Sequence, residues 1–417
     1  MNPASGTLET RLAGMTLAGL RARYQDELFN VVLPFWDAHG VDHQYGGILH
    51  GLDYDGRQVH TNKLLWFQGR AIWVYSFLYN RFGKNPQHLE IARKTRDFVL
   101  RHARQPDGWW AEMLARDGTV LRGFQGDIYG MYFVAEGLQE YSHAAGDEES
   151  YELALGLVRR LHRYIEVPSV ALPGAPGAGI RPQGIWMVNL NIATQILKRR
   201  KDPLMEEIAR KSVSAVIHRH YNPDIGLNNE NLNLDFSRPA GEETKSLLGH
   251  SIETLWMVME EALRIDDQAL WELCAGRIRR HIEVGWDWTF GGLSQWINVN
   301  QGGYEWPVER PFGTDLEFRF RGEYHYMKTL WSLNEILVAC LNIFERTRAE
   351  WAARFFGMVQ EVMDLKFSRR KQGQPGCMLF ADRTMTQQDH VARQDNYHPQ
   401  RQLMLNLLAL DRILEQR

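Results

Sequence analysis

Two histidines in this chain stand near side chains that suit proton transfer. In Gly249-His250-Ser251-Ile252-Glu253, the spacing of His250 and Glu253 places both on one helix face. A carboxylate beside an imidazole orients the ring and raises its basicity, as a general base requires; the same pairing also serves as a satisfied core contact. In Asn396-Tyr397-His398-Pro399-Gln400-Arg401, His398 stands at the start of the last helix and Arg401 follows one turn later. Arg70 lies in the apolar run Lys63-Leu64-Leu65-Trp66-Phe67-Gln68-Gly69-Arg70-Ala71-Ile72-Trp73, one turn after Trp66. A cation in such a helix must pair, either with a carboxylate or with ligand oxygens. In Leu330-Trp331-Ser332-Leu333-Asn334-Glu335, Glu335 shares a face with Trp331, and its burial demands a cation that Arg70 or Arg401 would supply.

This inventory fits proton shuttling at a carbon next to a carbonyl. Histidine titrates near neutrality and both removes and returns a proton, while arginine stabilises the charge that develops on enediolate oxygens. A rival is glycoside hydrolysis with Glu253 and Glu335 as acid and base. A third reading is a barrel that binds sugar without turning it over. The sequence has no GxGxxG before a helix, no GxxxxGKS/T, no GxSxG and no HExxH, so nucleotide cofactors and zinc-protease chemistry lose support. His218-Arg219-His220 has the ligand type for a metal but no nearby acidic or Cys partner, and reads as the cationic end of a helix. We expect neither metal nor cofactor.

The elements that must hold these residues are helices. Apolar spacing of three and four predicts twelve, at 16–36, 63–82, 86–104, 127–145, 148–165, 185–200, 203–220, 245–264, 266–284, 324–345, 347–367 and 399–415. Their links alternate. Short ones precede the third, fifth and seventh helices, and long ones precede every even-numbered helix. The long links carry glycine-aromatic turns at 42–48, 107–110, 224–227 and 287–293 that read as small β-hairpins. Six helix pairs with hairpin-bearing loops predict an all-α fold, an (α/α)6 barrel; an open solenoid is the alternative. In the closed form all long loops emerge at one end, over the N-termini of the even helices, and form the natural pocket. No linker divides the chain, so residues 1–417 are expected to form one catalytic domain.

Composition agrees with a packed soluble protein. The 417 residues hold 48 Lys and Arg against 51 Asp and Glu, and a net charge of -3 argues against a nucleic-acid partner. No apolar run approaches the roughly 18 residues of a membrane span. The start of the chain lacks the pattern of a secretory signal and the three cysteines are scattered, so a cytoplasmic location is expected. A homodimer is the default assembly.

Four segments resemble the N-acylglucosamine 2-epimerase family, which includes renin-binding proteins, cellobiose 2-epimerases and aldose–ketose isomerases. Lys63 to Trp73 resembles its K-x-x-W-x-Q-G-R-x-x-W, and Gly249 to Glu253 its G-H-x-x-E. Gly285-Trp286-Asp287 with Gly291-Gly292-Leu293 resembles G-W-D-x-x-x-G-G-L, and Tyr397 to Arg401 the terminal Y-H-x-x-R. The resemblance covers nearly the whole chain. It implies an (α/α)6 barrel and cofactor-independent proton transfer at C2 of an open-chain sugar. His250 and His398 would be the acid/base pair, Arg70 would bind a substrate oxygen, and Glu253 and Glu335 would support the histidines and substrate. Trp66, Trp331, Arg401 and Asn189 would line the binding site.

The chain also departs from the family pattern. Where many epimerases read W-W-P-H/Q-x-E, it reads Leu330 to Glu335, keeping the Glu but placing Leu333 where the pattern has a polar residue. Where disaccharide epimerases and mannose-isomerase-like members carry N-x-H-x-H, it reads Asn189-Leu190-Asn191. These differences favour an N-acylglucosamine-type 2-epimerase over a mannose/fructose-type aldose–ketose isomerase. Gln387 to Arg393 holds no counterpart of a glycine-rich nucleotide-responsive loop, so no ATP activation is expected.

Overall fold

The structure is a computed structural model that describes residues 10–173, 175–300, 302–303 and 327–416. Twelve principal helices run through the described residues: α1 (Leu17–Asp26), α2 (Leu65–Arg81), α3 (Pro86–His102), α4 (Tyr129–Ala145), α5 (Glu148–Ile165) and α6 (Gln183–Leu197), then α7 (Pro203–Ser214), α8 (Leu248–Arg264), α9 (Gln268–Gly285), α10 (Leu330–Thr347), α11 (Glu350–Val362) and α12 (His398–Glu415). Helices α1, α7 and α11 continue into π-helical turns.

Packing separates the helices into two rings. Helix α2 packs on α4, α4 on α6, α6 on α8, α8 on α10, α10 on α12, and α12 returns to α2. The other six lie outside, each against an inner helix, with α1 on α12 and α3, α5, α7, α9 and α11 on the inner helix before them or beside them. The ring closes, so the molecule is an (α/α)6 barrel and not an open solenoid. The two rings differ in composition for this reason. In α4 every residue from Tyr129 to Ser142 is buried, whereas α5 buries one stripe and leaves charged residues outside.

The helix starts differ in the same way. Outer helices α3, α5, α7 and α9 are capped by the side chains of Asn85, Asp147, Asp202 and Asp267. Inner helices α2, α6, α8 and α10 have no such cap. Their first N–H groups donate instead to the backbone of the next long loop: Leu65 to Glu112, Gln183 to Glu230, Leu248 to Gln295 and Leu330 to Leu379. Just before each of these helices the chain forms a short strand that pairs with that loop. Lys63–Leu64 pairs with Met113–Leu114, Ile180–Pro182 with Asn231–Asn233, Lys245–Leu247 with Trp296–Asn298, and Lys328–Thr329 with Phe380–Ala381. Inner helices expected to begin at 63 and 245 therefore begin later, because their first residues are spent on these pairings. The helix expected from 324 begins at Leu330, and 324–326 lie outside the described residues.

Two of the glycine-aromatic turns are locked by the same device. In each, the aspartate that opens the turn accepts backbone N–H groups with Oδ1, from Gln44 and Tyr45 at Asp42 and from Thr289 and Phe290 at Asp287. A buried lysine that precedes the next inner helix then reaches the other oxygen, Lys63 at 2.9 Å and Lys328 at 3.0 Å. Arg116 and Arg383 close the two clusters. Gly46 and Gly47, and Gly291 and Gly292, all have φ near +80°, where a side chain would be strained. Although burial works against it, the N–H, Lys328 and Arg383 contacts hold the Asp287 carboxyl down at about 2.

Candidate active site

Functional side chains gather at the N-terminal ends of the inner helices in two layers. The outer layer holds His250 of α8, Trp331 of α10, His398 of α12 and Trp66 of α2. About one turn deeper lie Glu253, Glu335, Arg401 and Arg70, on the same four helices.

Each histidine is held by a carboxylate through Nδ1. His398 Nδ1 lies 2.9 Å from Glu335 Oε1, and His250 Nδ1 lies 3.0 Å from Glu230 Oε1. A carboxylate only accepts, so Nδ1 carries the proton, and Nε2, without a hydrogen-bond partner among the described residues, is left as the working nitrogen. The expected pairing of His250 with Glu253 is corrected here. Sharing a helix face does not bring them together, because the imidazole turns to Glu230 in the loop before α8 while Glu253 reaches across to Arg401. Burial drives His250 downward, but the Glu230 carboxylate, assisted by Glu253, outweighs it and raises the imidazole above its ordinary value.

Arg401 is the cation that Glu335 required. Its guanidinium contacts Glu253 and lies 2.7 Å from Glu335 Oε1, and the Trp256 indole donates to Glu335 Oε2 at 2.9 Å. Burial opposes ionisation of Glu335, yet Arg401 and His398 hold it well below the carboxylate range. Glu253, Glu335 and His398 lie close enough to resemble a metal-ligand set. The Arg401 guanidinium contacts both carboxylates and brings a positive charge to them.

Arg70 makes no ion pair among the described residues. Its guanidinium carbon lies 4.1 Å from the Phe133 ring centroid, 4.8 Å from Tyr397 and 5.6 Å from Trp66, and its Nε is buried without a partner. This aromatic cage leaves the cation for a ligand. Gly69 makes the cage: a Cβ there would meet the Phe133 backbone at 2.4 Å, so only glycine lets α4 approach closely enough to set Phe133 against Arg70. Gly249 acts likewise for Trp331, whose ring would lie 2.4 Å from a Cβ. The Trp331 ring stands 5.5 Å from that of His250 and 5.6 Å from that of His398, touching both imidazoles.

Two residues at the site had no place in the sequence reading. Glu230 holds His250, and Glu136 of α4 accepts from Tyr397 Oη at 2.9 Å, Asn191 at 2.8 Å and Gln195 at 3.0 Å. Tyr397 in turn accepts from Arg401 at 3.1 Å. Asn189, expected to bind substrate, is 1 % exposed beside Tyr132. Trp66 stands beside Arg70 and donates to Asp127 at 2.6 Å. His220 is buried with Nδ1 against the Asn229 carbonyl, and burial pushes it down to about 4, so it is a neutral structural residue.

The N-acylglucosamine 2-epimerase (GlcNAc 2-epimerase) family profile matches residues 46–398. N-acylglucosamine 2-epimerase of Homo sapiens is 26% identical over 384 residues, covering 86% of this chain and 82% of its own. Cellobiose 2-epimerase of Dictyoglomus turgidum is 22% identical over 380 residues, covering 86% and 90%. Among solved structures, cellobiose 2-epimerase from Bacillus thermoamylovorans B4167 superposes with a TM-score of 0.76 at 15% identity, over 93% of this chain and 99% of that one. The last is a likeness of fold.

Proposed function

This chain belongs to the N-acylglucosamine 2-epimerase family, and from that premise we propose that it is a sugar 2-epimerase in which His250 and His398 exchange a proton at C2 of an open-chain aldose. The observation that carries this reading is the pair of His–carboxylate dyads, His250 with Glu230 and His398 with Glu335, both packed against Trp331.

In the forward direction one imidazole Nε2 takes the C2 proton of one epimer. The electron pair moves onto the carbonyl oxygen, giving an enediolate, and the second imidazolium returns a proton to the opposite face of C2. Each carboxylate fixes its ring and favours the imidazolium that forms. The developing oxyanion is matched by Arg70, whose charge no carboxylate neutralises among the described residues. No cofactor is required. The same dyads would support isomerisation if the proton were returned to C1, giving a ketose.

Glycoside hydrolysis by Glu253 and Glu335 is disfavoured. One of the pair would need to hold a proton, but both contact a single guanidinium and Glu335 is kept ionised. A binding protein without turnover leaves the two dyads unexplained. The test is to incubate the protein with N-acetylmannosamine, mannose, glucose and cellobiose and identify products by NMR; a C2 epimer from one of them supports the reading, and no product from any of a broad sugar panel contradicts it.

No helix among the described residues is long and apolar enough to cross a membrane. The free state of Cys274, Cys340 and Cys377 supports the proposed cytoplasmic location. A single domain spanning the chain and a homodimer complete the proposal, and light scattering tests the assembly.

A further inference from the structure

A cavity of about 300 Å³ lies outside the inner ring at the same end of the barrel, where the end of α5, the start of α6 and the end of α7 meet. Its walls carry an excess of positive charge. Arg181 is 2 % exposed, and its guanidinium donates only to carbonyl oxygens, those of Val167 at 2.7 Å and Ile180 at 3.0 Å among them. Those dipoles satisfy its hydrogen bonds without neutralising it, and burial lowers its affinity for the proton. Arg210 and Arg219 also line the cavity without an ion pair among the described residues, Arg219 lying 5.7 Å from the Phe236 ring centroid; Lys211 on the same wall pairs with Glu207, and Glu166 is the carboxylate there. The opposite wall is aromatic: the Trp186 and Phe236 rings lie 5.9 Å apart, and the Trp186 indole N–H is buried with no acceptor.

The exposed Arg210 and Arg219 guanidiniums, with the charge of buried Arg181 behind them, match a phosphate, and the planar wall matches a flat ring. We propose that this cavity binds a small phosphate monoester whose flat organic part lies against Trp186 and Phe236. The site is built into the support of His250. Asn233 lines the cavity and belongs to the strand Asn231–Asn233, which pairs with Ile180–Pro182. Immediately before that strand, Glu230 accepts through its carbonyl from Gln183 N–H at 2.6 Å and through Oε1 from Gly184 N–H at 3.4 Å. A ligand that tightens these two strands therefore acts on the carboxylate that holds His250, and by linkage the state of that dyad acts on ligand affinity.

Binding is tested on the full chain by calorimetric titration with phenyl phosphate, inorganic phosphate and phenol at constant ionic strength. Phenyl phosphate is expected to bind saturably and at least tenfold more tightly than either half. The double variant Arg210→Gln, Arg219→Gln is expected to weaken it at least tenfold while leaving basal sugar turnover unchanged. Equal affinity for phenyl phosphate and inorganic phosphate, unchanged affinity in the double variant, or competition by sugar substrate would overturn the site. Coupling rests on the epimerase reading and has its own readout. Saturating phenyl phosphate is expected to move the acid limb of the pH–rate profile in the wild type and not in the double variant; an unmoved limb contradicts the coupling. Because binding is read as heat, a failure of the sugar assay leaves the binding result standing.

Discussion

Glu230 and His250 meet at 3.0 Å, carboxylate oxygen to imidazole Nδ1, although the glutamate lies in a loop 20 residues before the histidine. This contact raises the His250 pKa, and a base that must be neutral to act then loses activity below a limb lying above the usual histidine value of about 6.5. Glu230→Gln removes the charge while keeping an acceptor, so the acid limb of kcat/KM should move to lower pH. The maximal rate should fall about 10-fold to 100-fold, because the imidazolium is no longer favoured. An unmoved limb would show that Glu230 does not tune the base.

His398→Asn should lower epimerisation by about 100-fold to 10,000-fold, the usual range for a lost general acid or base. The melting temperature should change little relative to Arg401→Met, which leaves Glu253 and Glu335 buried without the guanidinium they share. Circular dichroism melts beside initial rates separate the two cases. Wild-type turnover in His398→Asn would remove the histidine from the mechanism.

Gly69→Ala should destabilise the fold by about 1–3 kcal/mol, since the new Cβ overlaps the Phe133 backbone. The displacement also opens the cage around Arg70, so KM should rise in the folded fraction. Denaturant melts and steady-state kinetics on one preparation measure both effects. A variant with unchanged stability would contradict the close approach of α2 and α4.

Burial and the nearby Glu112 push Asp127 up to about 7, well above the ordinary aspartate value of about 3.9. The native state therefore keeps a proton that the unfolded chain releases between about pH 4 and pH 7. This contribution to stability is complete below the lower value and is lost as pH rises through the upper one. Asp127→Asn keeps an acceptor for Trp66 and abolishes the titration. Its melting temperature should gain on the wild type as pH rises from 4 to 8, and parallel curves would contradict the shift.

The sequence resolved the outer helices better than the inner ones, and capping explains why. Asn85, Asp147, Asp202 and Asp267 announce helix starts, whereas α2, α6, α8 and α10 are capped by the backbone of distant loops, which leaves no local signal. His250, His398, Arg70, Glu335 and Arg401 were identifiable as polar groups on apolar helices or at a helix start. Glu136 carries the same signature, an acid in a helix buried all round, and that reasoning extended to α4 would have found it. Glu230 has no periodicity to mark it; its one local sign is its place in the polar run Asn228-Asn229-Glu230-Asn231, all of it buried. The pairing of His250 with Glu253 failed because shared helix face is necessary but not sufficient for contact when each side chain has a stronger partner on another element.

The central claim is that His250 and His398 move a proton at C2 through solvent-exchangeable imidazoles. Running the reaction in deuterated water and locating the label by NMR tests it most directly. The two-base account predicts deuterium at C2 of the product epimer from the first turnovers, lost together with epimerisation in His250→Asn and His398→Asn. Label at C1 of a ketose would make the enzyme an aldose–ketose isomerase, and interconversion with no deuterium incorporated would contradict proton transfer by the histidines altogether.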